Sequence, residues 1–312
     1  MSKEIAIREE GAVAVTSPMS LKELEDKFIA SLDVRPNSRD LYRRTLKQYF
    51  NWIADKGYLL TDMARPQIIE YKEDLLARGM SALTVGSYLV TVRLFYEWAE
   101  AQKYYPNIAR GVRNPKRKQA FKKQPLTPDQ AQGLLKHYKD PRDFALVNLM
   151  VRTGLRCIEV SRANTEDITY KGSQRVLLIQ GKGRDELDQF VLLTDKAYRP
   201  IEEYLSSRKA KTSEPLFIST SNNSQGERLS TRTVSHIAKE ALKGIGLDEK
   251  AFTAHSLRHT AIVNSRRAGA TLEQAQAMAR HSSPVTTQIY DSVFRDEDRL
   301  LHSAEMLIDK LY

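Results

Sequence analysis

Residues 279–290 read ARHSSPVTTQIY, and with HSLRH at 255–259 they set the reading of the second half of the chain. Ser283 ahead of Pro284 marks a helix start, because a proline at the first helical position sacrifices no hydrogen bond and already has its φ fixed. That start places Tyr290 on a short helix of its own, nine residues beyond His281. Within HSLRH, His255 and Arg258 stand three apart and so share one side of a helix that Thr253 is placed to cap. Upstream, two short β-branched-rich runs at 175–180 (RVLLIQ) and 189–193 (QFVLL) flank Gly181-Lys182-Gly183-Arg184, the pattern of a hairpin with a glycine-rich turn. Further back, TGLRCIEV at 153–160 follows an apolar helical run over 144–151 that stops at Gly154, leaving Arg156 and Glu159 three apart. Each fragment alone also has a plain reading. Arg156 and Glu159 make a surface helical ion pair, H-x-x-R a polar helix face, and a glycine-flanked lysine a solvated turn.

Working outward, Thr127 followed by Gln130 has the form of a capping box that opens the C-terminal domain, assigned to residues 126–312. Before it, YPNIARGVRNPKRKQAFKKQPL at 105–126 combines three prolines with a dense Lys/Arg run and has no sustained apolar period, so 106–125 reads as a basic linker. Residues 18–105 read as four helices. Leu24, Phe28 and Leu32 mark the first; Leu41, Thr45, Tyr49, Trp52 and Ile53 the second. Pro66 opens a third through Ile69 and Leu76 to Gly79, and Ser81 caps a fourth carrying Leu89, Val92, Phe95, Tyr96 and Ala99. Residues 1–17 read as a flexible tail. The expected fold is therefore mainly α with a small antiparallel β-sheet, in two domains, as 312 residues exceed what one core usually organises.

The formal net charge of +10 favours a polyanionic partner, since Lys and Arg that neutralise phosphates release condensed counterions. One cysteine, Cys157, excludes an internal disulfide framework and a zinc site of several thiolates. With no apolar stretch of membrane length and no apolar signal core at the start, the expected compartment is the cytoplasm.

Taken together and in order, TGLRCIEV, QGKGR, HSLRH and ARHSSPVTTQIY resemble the tyrosine recombinase and integrase family, which includes phage integrases, transposon integrases and Xer-type chromosome-dimer resolvases. The resemblance covers the second domain and, more loosely, the four-helix first domain. It implies an enzyme that cuts and rejoins DNA through a 3′-phosphotyrosyl intermediate, with no ATP, metal or cofactor. Such chemistry needs a nucleophile, a proton donor for the leaving 5′-oxygen, and fixed positive charge around the non-bridging oxygens. The resemblance makes Tyr290 the nucleophile, Arg156 and Arg258 the phosphate clamps, and Lys182 the general acid. His255 becomes a general acid/base or phosphate ligand and His281 a phosphate-binding donor.

Glu159 is expected to hold Arg156 through a bidentate pair, Arg184 to touch phosphate, and His259 to be a hydrogen-bonded structural residue. A glycine commonly precedes the family's second histidine, whereas this chain has Arg280. A left-handed backbone there would cost a non-glycine residue about 1 kcal/mol.

The resemblance further implies that the two domains clamp duplex DNA and that four protomers join two sites. The apolar stripe Leu300, Leu301, Ala304, Leu307, Ile308 and Leu311 would then dock on a neighbouring protomer. Arg39, Arg43, Arg44 and Lys47 are first-domain candidates for DNA contact. The short stretch before Leu21 suggests simple core sites without an arm-binding domain. A type IB topoisomerase-like enzyme and a catalytically silent DNA-binding regulator are the rival readings, and mobile-element integrase versus resolvase stays open.

Overall fold

The structure is a computed structural model that describes residues 19–116, 124–136, 140–181, 185–301, 303–309 and 311, with the backbone alone described at 291–298, 301 and 304. The chain divides between residues 120 and 121 into two units. The expected tail, residues 1–17, lies outside the described residues.

In the first unit, α1 (Leu21–Ser31) starts at a capping box. Ser20 Oγ accepts from the Glu23 N–H while the Glu23 carboxylate accepts from the Ser20 N–H. Helix α2 (Pro36–Asp55) carries Pro36 in its first turn, α3 spans Arg65–Ala77, and α4 spans Ala82–Ala101 from a Ser81 cap. The core between them is aromatic: Phe28, Tyr49, Phe50, Trp52, Tyr71, Phe95 and Tyr96 are all buried. Their polar tips are paired, as in the 2.9 Å hydroxyl contact of Tyr49 with Tyr96, which removes the cost of burying them unsatisfied.

The buried face of α3 is shifted by one residue from the sequence expectation: Ile68, Tyr71 and Leu75 are inside, while Ile69 is 39% exposed and Leu76 half-buried. Two adjacent apolar pairs, 68/69 and 75/76, fit a helical stripe equally well. Tyr71 decides, because its ring packs 4.9 Å from that of Tyr49 and 5.1 Å from that of Trp52. Part of the basic 106–125 stretch also belongs to this core. Ala109 and Val112 are buried in it, and Arg93 donates to the Val112 carbonyl and to Asn114.

In the second unit, α5 (Pro128–Lys136) opens at Thr127, whose N–H reaches Gln130 while Gln130 N–H reaches Thr127 Oγ1. Helix α6 (Pro141–Thr153) is buried continuously from Ala145 to Val151 and ends at Gly154 in the left-handed region, φ 63°. A side chain there would be strained, and its Cβ would lie 3.4 Å from Ala261 Cβ. After α7 (Cys157–Arg162) come β1 (Ile168–Lys171), β2 (Gln174–Ile179) and β3 (Gln189–Leu192), an antiparallel sheet ordered β1-β2-β3. The register pairs Leu177 with Val191 and with Ile168.

Helices α8 (Asp195–Ser207) and α9 (Thr231–Gly244) pack on α6, as does α10 (Ala254–Arg267), which is buried from Ser256 to Val263. Helix α11 (Leu272–Ala279) leads to α12 (Pro284–Leu301), which packs on α10 and α11. Tyr290 thus rides on an 18-residue helix, not a short one, because the amphipathic pattern runs on past it for three more turns. The C-terminal stripe is not one helix either. Ser303 caps α13 (Ala304–Ile308) by accepting from the Met306 N–H, so a separate helix begins at Ala304.

Candidate active site

Three segments distant in sequence meet around Tyr290: the α6–α7 turn, α10, and the α11–α12 turn. Gly154 makes the first approach possible, since it lets the turn come against α10 with Arg258 Cγ 3.9 Å from where a Cβ would sit. Arg258 is 1% exposed, and its guanidinium donates to the carbonyls of Gly154 and Ala279. It therefore ties the first and third segments together. Arg156 follows directly and forms the N-cap of α7, with 28% of its side chain exposed.

Glu159 is completely buried at its side chain and does not make the expected bidentate pair. Arg156 Nη1 reaches Oε1 at 2.6 Å, while Oε2 accepts from the Arg156 backbone N–H at 2.8 Å and from Arg280 Nη2 at 2.9 Å. A second guanidinium, from the α11–α12 turn, competes for the carboxylate, and this could not be read from the local spacing.

Tyr290 is 6% exposed. Its hydroxyl lies 3.2 Å from His255 Nε2. The ring is stacked on His281 at 5.4 Å and 25° and meets the edge of His259 at 4.8 Å and 85°. His259 is fully buried, in keeping with a packing role against the tyrosine. His255 and Arg258 do share the neighbourhood of Tyr290, yet one is exposed and the other buried, so the same-side expectation holds for reach and not for solvent access. His281 Nδ1 contacts Thr287 Oγ1 at 2.9 Å, and its carbonyl accepts from Gln276 Nε2. Thr287 and Gln276 were not among the sequence candidates. Thr287 stands one turn before Tyr290, and that spacing was the available signal.

Lys182 and Arg184, the turn candidates, lie outside the described residues. The base of their hairpin is described: Gly181 is buried and its carbonyl accepts from Arg162. A cleft of about 1120 Å³ opens beside Gly181, lined by Arg152, Arg156, Phe190, Arg280 and His281 among others. In the first unit, Arg39 donates to the Leu32 carbonyl and Arg43 pairs with Asp26 at 2.6 Å and with Glu25 at 3.4 Å. Those two arginines are engaged within the helical unit, while Arg44 and Lys47 are exposed. No group of three or more His, Cys, Asp or Glu side chains is gathered as a metal would need, among the described residues. No helix among them is long and apolar enough to cross a membrane.

The electrostatics fit an anion site. Burial lowers the pKa of Arg258 to about 10, helped by Arg156 and Arg280, so it stays protonated at neutral pH. Burial pushes the Glu159 carboxyl up, but Arg280 and Arg156 outweigh this and hold it below the usual range. One carboxylate thus faces three guanidiniums, leaving the pocket cationic. Burial, then the same arginines, bring His281 down to about 4, so it is neutral. Burial raises the Tyr290 phenol, against the opposing pull of Arg258 and Arg156.

A tyrosine beside an imidazole, inside a cage of guanidiniums, is the constellation for nucleophilic attack on a phosphodiester. The profile of the phage integrase family matches residues 124–297, and that of the phage integrase N-terminal SAM-like domain matches residues 22–103. The chain belongs to the phage integrase family and is a tyrosine recombinase. It is 32% identical over 267 residues to the tyrosine recombinase XerC of Thermodesulfovibrio yellowstonii, covering 81% of this chain and 84% of that one. It is 28% identical to XerD of Staphylococcus epidermidis, covering 86% and 91%. In fold it is similar to the XerH recombinase bound to a palindromic difH substrate, with a TM-score of 0.73 at 18% identity over 92% of this chain and 85% of that one. A lambda integrase (75–356) dimer bound to a COC′ core site gives 0.68 at 19%, over 87% and 95%.

Proposed function

We propose that the chain recombines duplex DNA at specific sites, with Tyr290 as nucleophile and Arg156, Arg258, His255, His281 and Lys182 as its catalytic partners. The observation that carries this reading is the Tyr290 hydroxyl held 3.2 Å from His255 Nε2, beside two buried or half-buried guanidiniums.

The phenol is the obstacle. Its ordinary pKa is near 10, and burial raises it further. In the tautomer with its proton on Nδ1, His255 Nε2 accepts the phenolic proton as the oxygen attacks phosphorus. Arg156 and Arg258 then stabilise the charge that builds on the two non-bridging oxygens, and neutral His281 adds a hydrogen bond without adding repulsion. The P–O5′ bond breaks as the Tyr290–phosphorus bond forms, and Lys182 gives the leaving oxygen its proton. Phosphodiester bond energy is retained in the phosphotyrosine, so the freed 5′-hydroxyl of a second duplex reverses the step and joins the strands.

Two domains on one duplex and four protomers on two duplexes would supply that exchange. Leu300, Leu307, Ile308 and Leu311 are exposed by 77%, 61%, 45% and 78%, which favours docking of the C-terminal segment on a neighbouring protomer. A mobile-element integrase and a chromosome resolvase both fit this chemistry, in a cytoplasmic setting. Selecting the bound sequence from randomised duplex DNA and incubating two such sites with the protein tests the proposal. Exchanged flanks are expected, whereas bound but unexchanged sites would mark a regulator, and relaxed supercoils without exchange a topoisomerase.

A further inference from the structure

Arg280 occupies a position where its side chain should be a liability. Its backbone is left-handed, φ 54°, a conformation that side chains other than glycine adopt at a cost. Its side chain is only 3% exposed, and its buried Nε has no hydrogen-bond partner among the described residues. Strain and a buried charge persist together only where the surroundings hold both in place. Here they do: Nη1 donates to the Met278 carbonyl at 2.6 Å and Nη2 reaches Glu159 Oε2 at 2.9 Å.

We infer that Arg280 is a positioning residue that shares the Glu159 carboxylate with Arg156 and thereby aims the Arg156 guanidinium at the phosphate. With Oε2 occupied by Arg280 and the Arg156 backbone N–H, only Oε1 is left for the Arg156 side chain. Arg156 is therefore held by one nitrogen, and its remaining donors stay available for a substrate. Without Arg280, Oε2 becomes open to a second guanidinium nitrogen, and the two-pronged pairing that carboxylates favour would turn the fork of Arg156 toward Glu159. Of the separate influences that keep Glu159 ionised against burial, the charge of Arg280 is the largest, followed by the Arg156 backbone N–H and then by the charge and side-chain hydrogen bond of Arg156. The arrangement also joins the α11–α12 turn, which positions His281, to the α6–α7 turn, which positions Arg156. The inference rests on the reading that Arg156 holds the scissile phosphate.

The test uses the full chain at saturating concentration on a nicked duplex bearing its own selected site, reading the first-order rate of covalent adduct formation beside the Kd for DNA. Arg280→Gly suits the backbone, and Arg280→Gln fills the site without charge should the glycine variant lose its fold. Either is expected to slow adduct formation by about tenfold, the effect of losing one charge-assisted contact, with Kd within about twofold of wild type. Arg280→Lys should recover part of the rate. In a cycle with Glu159→Gln, the double variant should be no slower than the slower single variant. A wild-type rate in both charge-removing variants, a loss confined to Kd, or multiplicative effects in the cycle would overturn the inference. Failure of the wild-type chain to form any adduct would instead remove the functional reading beneath it.

Discussion

The Tyr290 hydroxyl and His255 Nε2 lie 3.2 Å apart within one subunit, the first on α12 and the second on an exposed side chain in the otherwise buried first turn of α10. Nucleophile and candidate base are thus in contact, even though the tyrosine ring is buried between two other histidines.

Removing this base is expected to expose the cost of ionising a buried phenol. His255→Ala should slow covalent adduct formation by about 10²–10⁴-fold, the range of general acid–base catalysis, with DNA affinity little changed. Added imidazole should restore part of the rate. Adduct formation at the wild-type rate would take His255 out of the reaction.

Gly154 links backbone geometry to the anion pocket. Gly154→Ala forces an alanine into φ 63° and sets its Cβ 3.4 Å from Ala261, while the displaced carbonyl no longer anchors Arg258. A stability loss of about 1–2 kcal/mol in denaturant unfolding is expected, together with a slower cleavage step. A variant as stable and as active as wild type would show that the turn does not need its glycine.

Much of this was legible in the sequence because it is local. The Gly154 stop, the Thr127–Gln130 box, the Pro284 start and the buried face of α4 each depend on a few neighbouring residues and one period. The strand β1 escaped because four residues, half of them exposed, carry too little pattern. The face of α3 turned on Tyr71 meeting Tyr49 and Trp52, which are far from it in the chain. At the site, residue types and order marked the candidates, but the division of Glu159 between Arg156 and Arg280 spans 121 positions and depends on packing that no spacing encodes. The fresh helix start at Ser303 lay hidden because the apolar stripe keeps its period across it, and only Ser303 as a cap betrays it.

His281 makes stability depend on pH. Burial and the neighbouring arginines bring its pKa to about 4, below the ordinary value of 6.5, so the folded state excludes a proton that the unfolded chain binds. Its contribution is fully present above pH 6.5 and is lost as pH falls toward 4. Between pH 7.5 and pH 5 the loss is about 2 kcal/mol. Urea unfolding of wild type and His281→Gln at both pH values isolates it: the wild-type chain should lose more stability on acidification by about this amount. Parallel losses in the two proteins would show that His281 is not held neutral.

The most direct measurement is to trap the covalent complex on a nicked duplex carrying the selected site, digest the protein, and locate the DNA-linked peptide by mass spectrometry. The phosphodiester is expected on Tyr290, with no adduct from Tyr290→Phe. Linkage at any other side chain, or an undiminished adduct in that variant, would contradict the account.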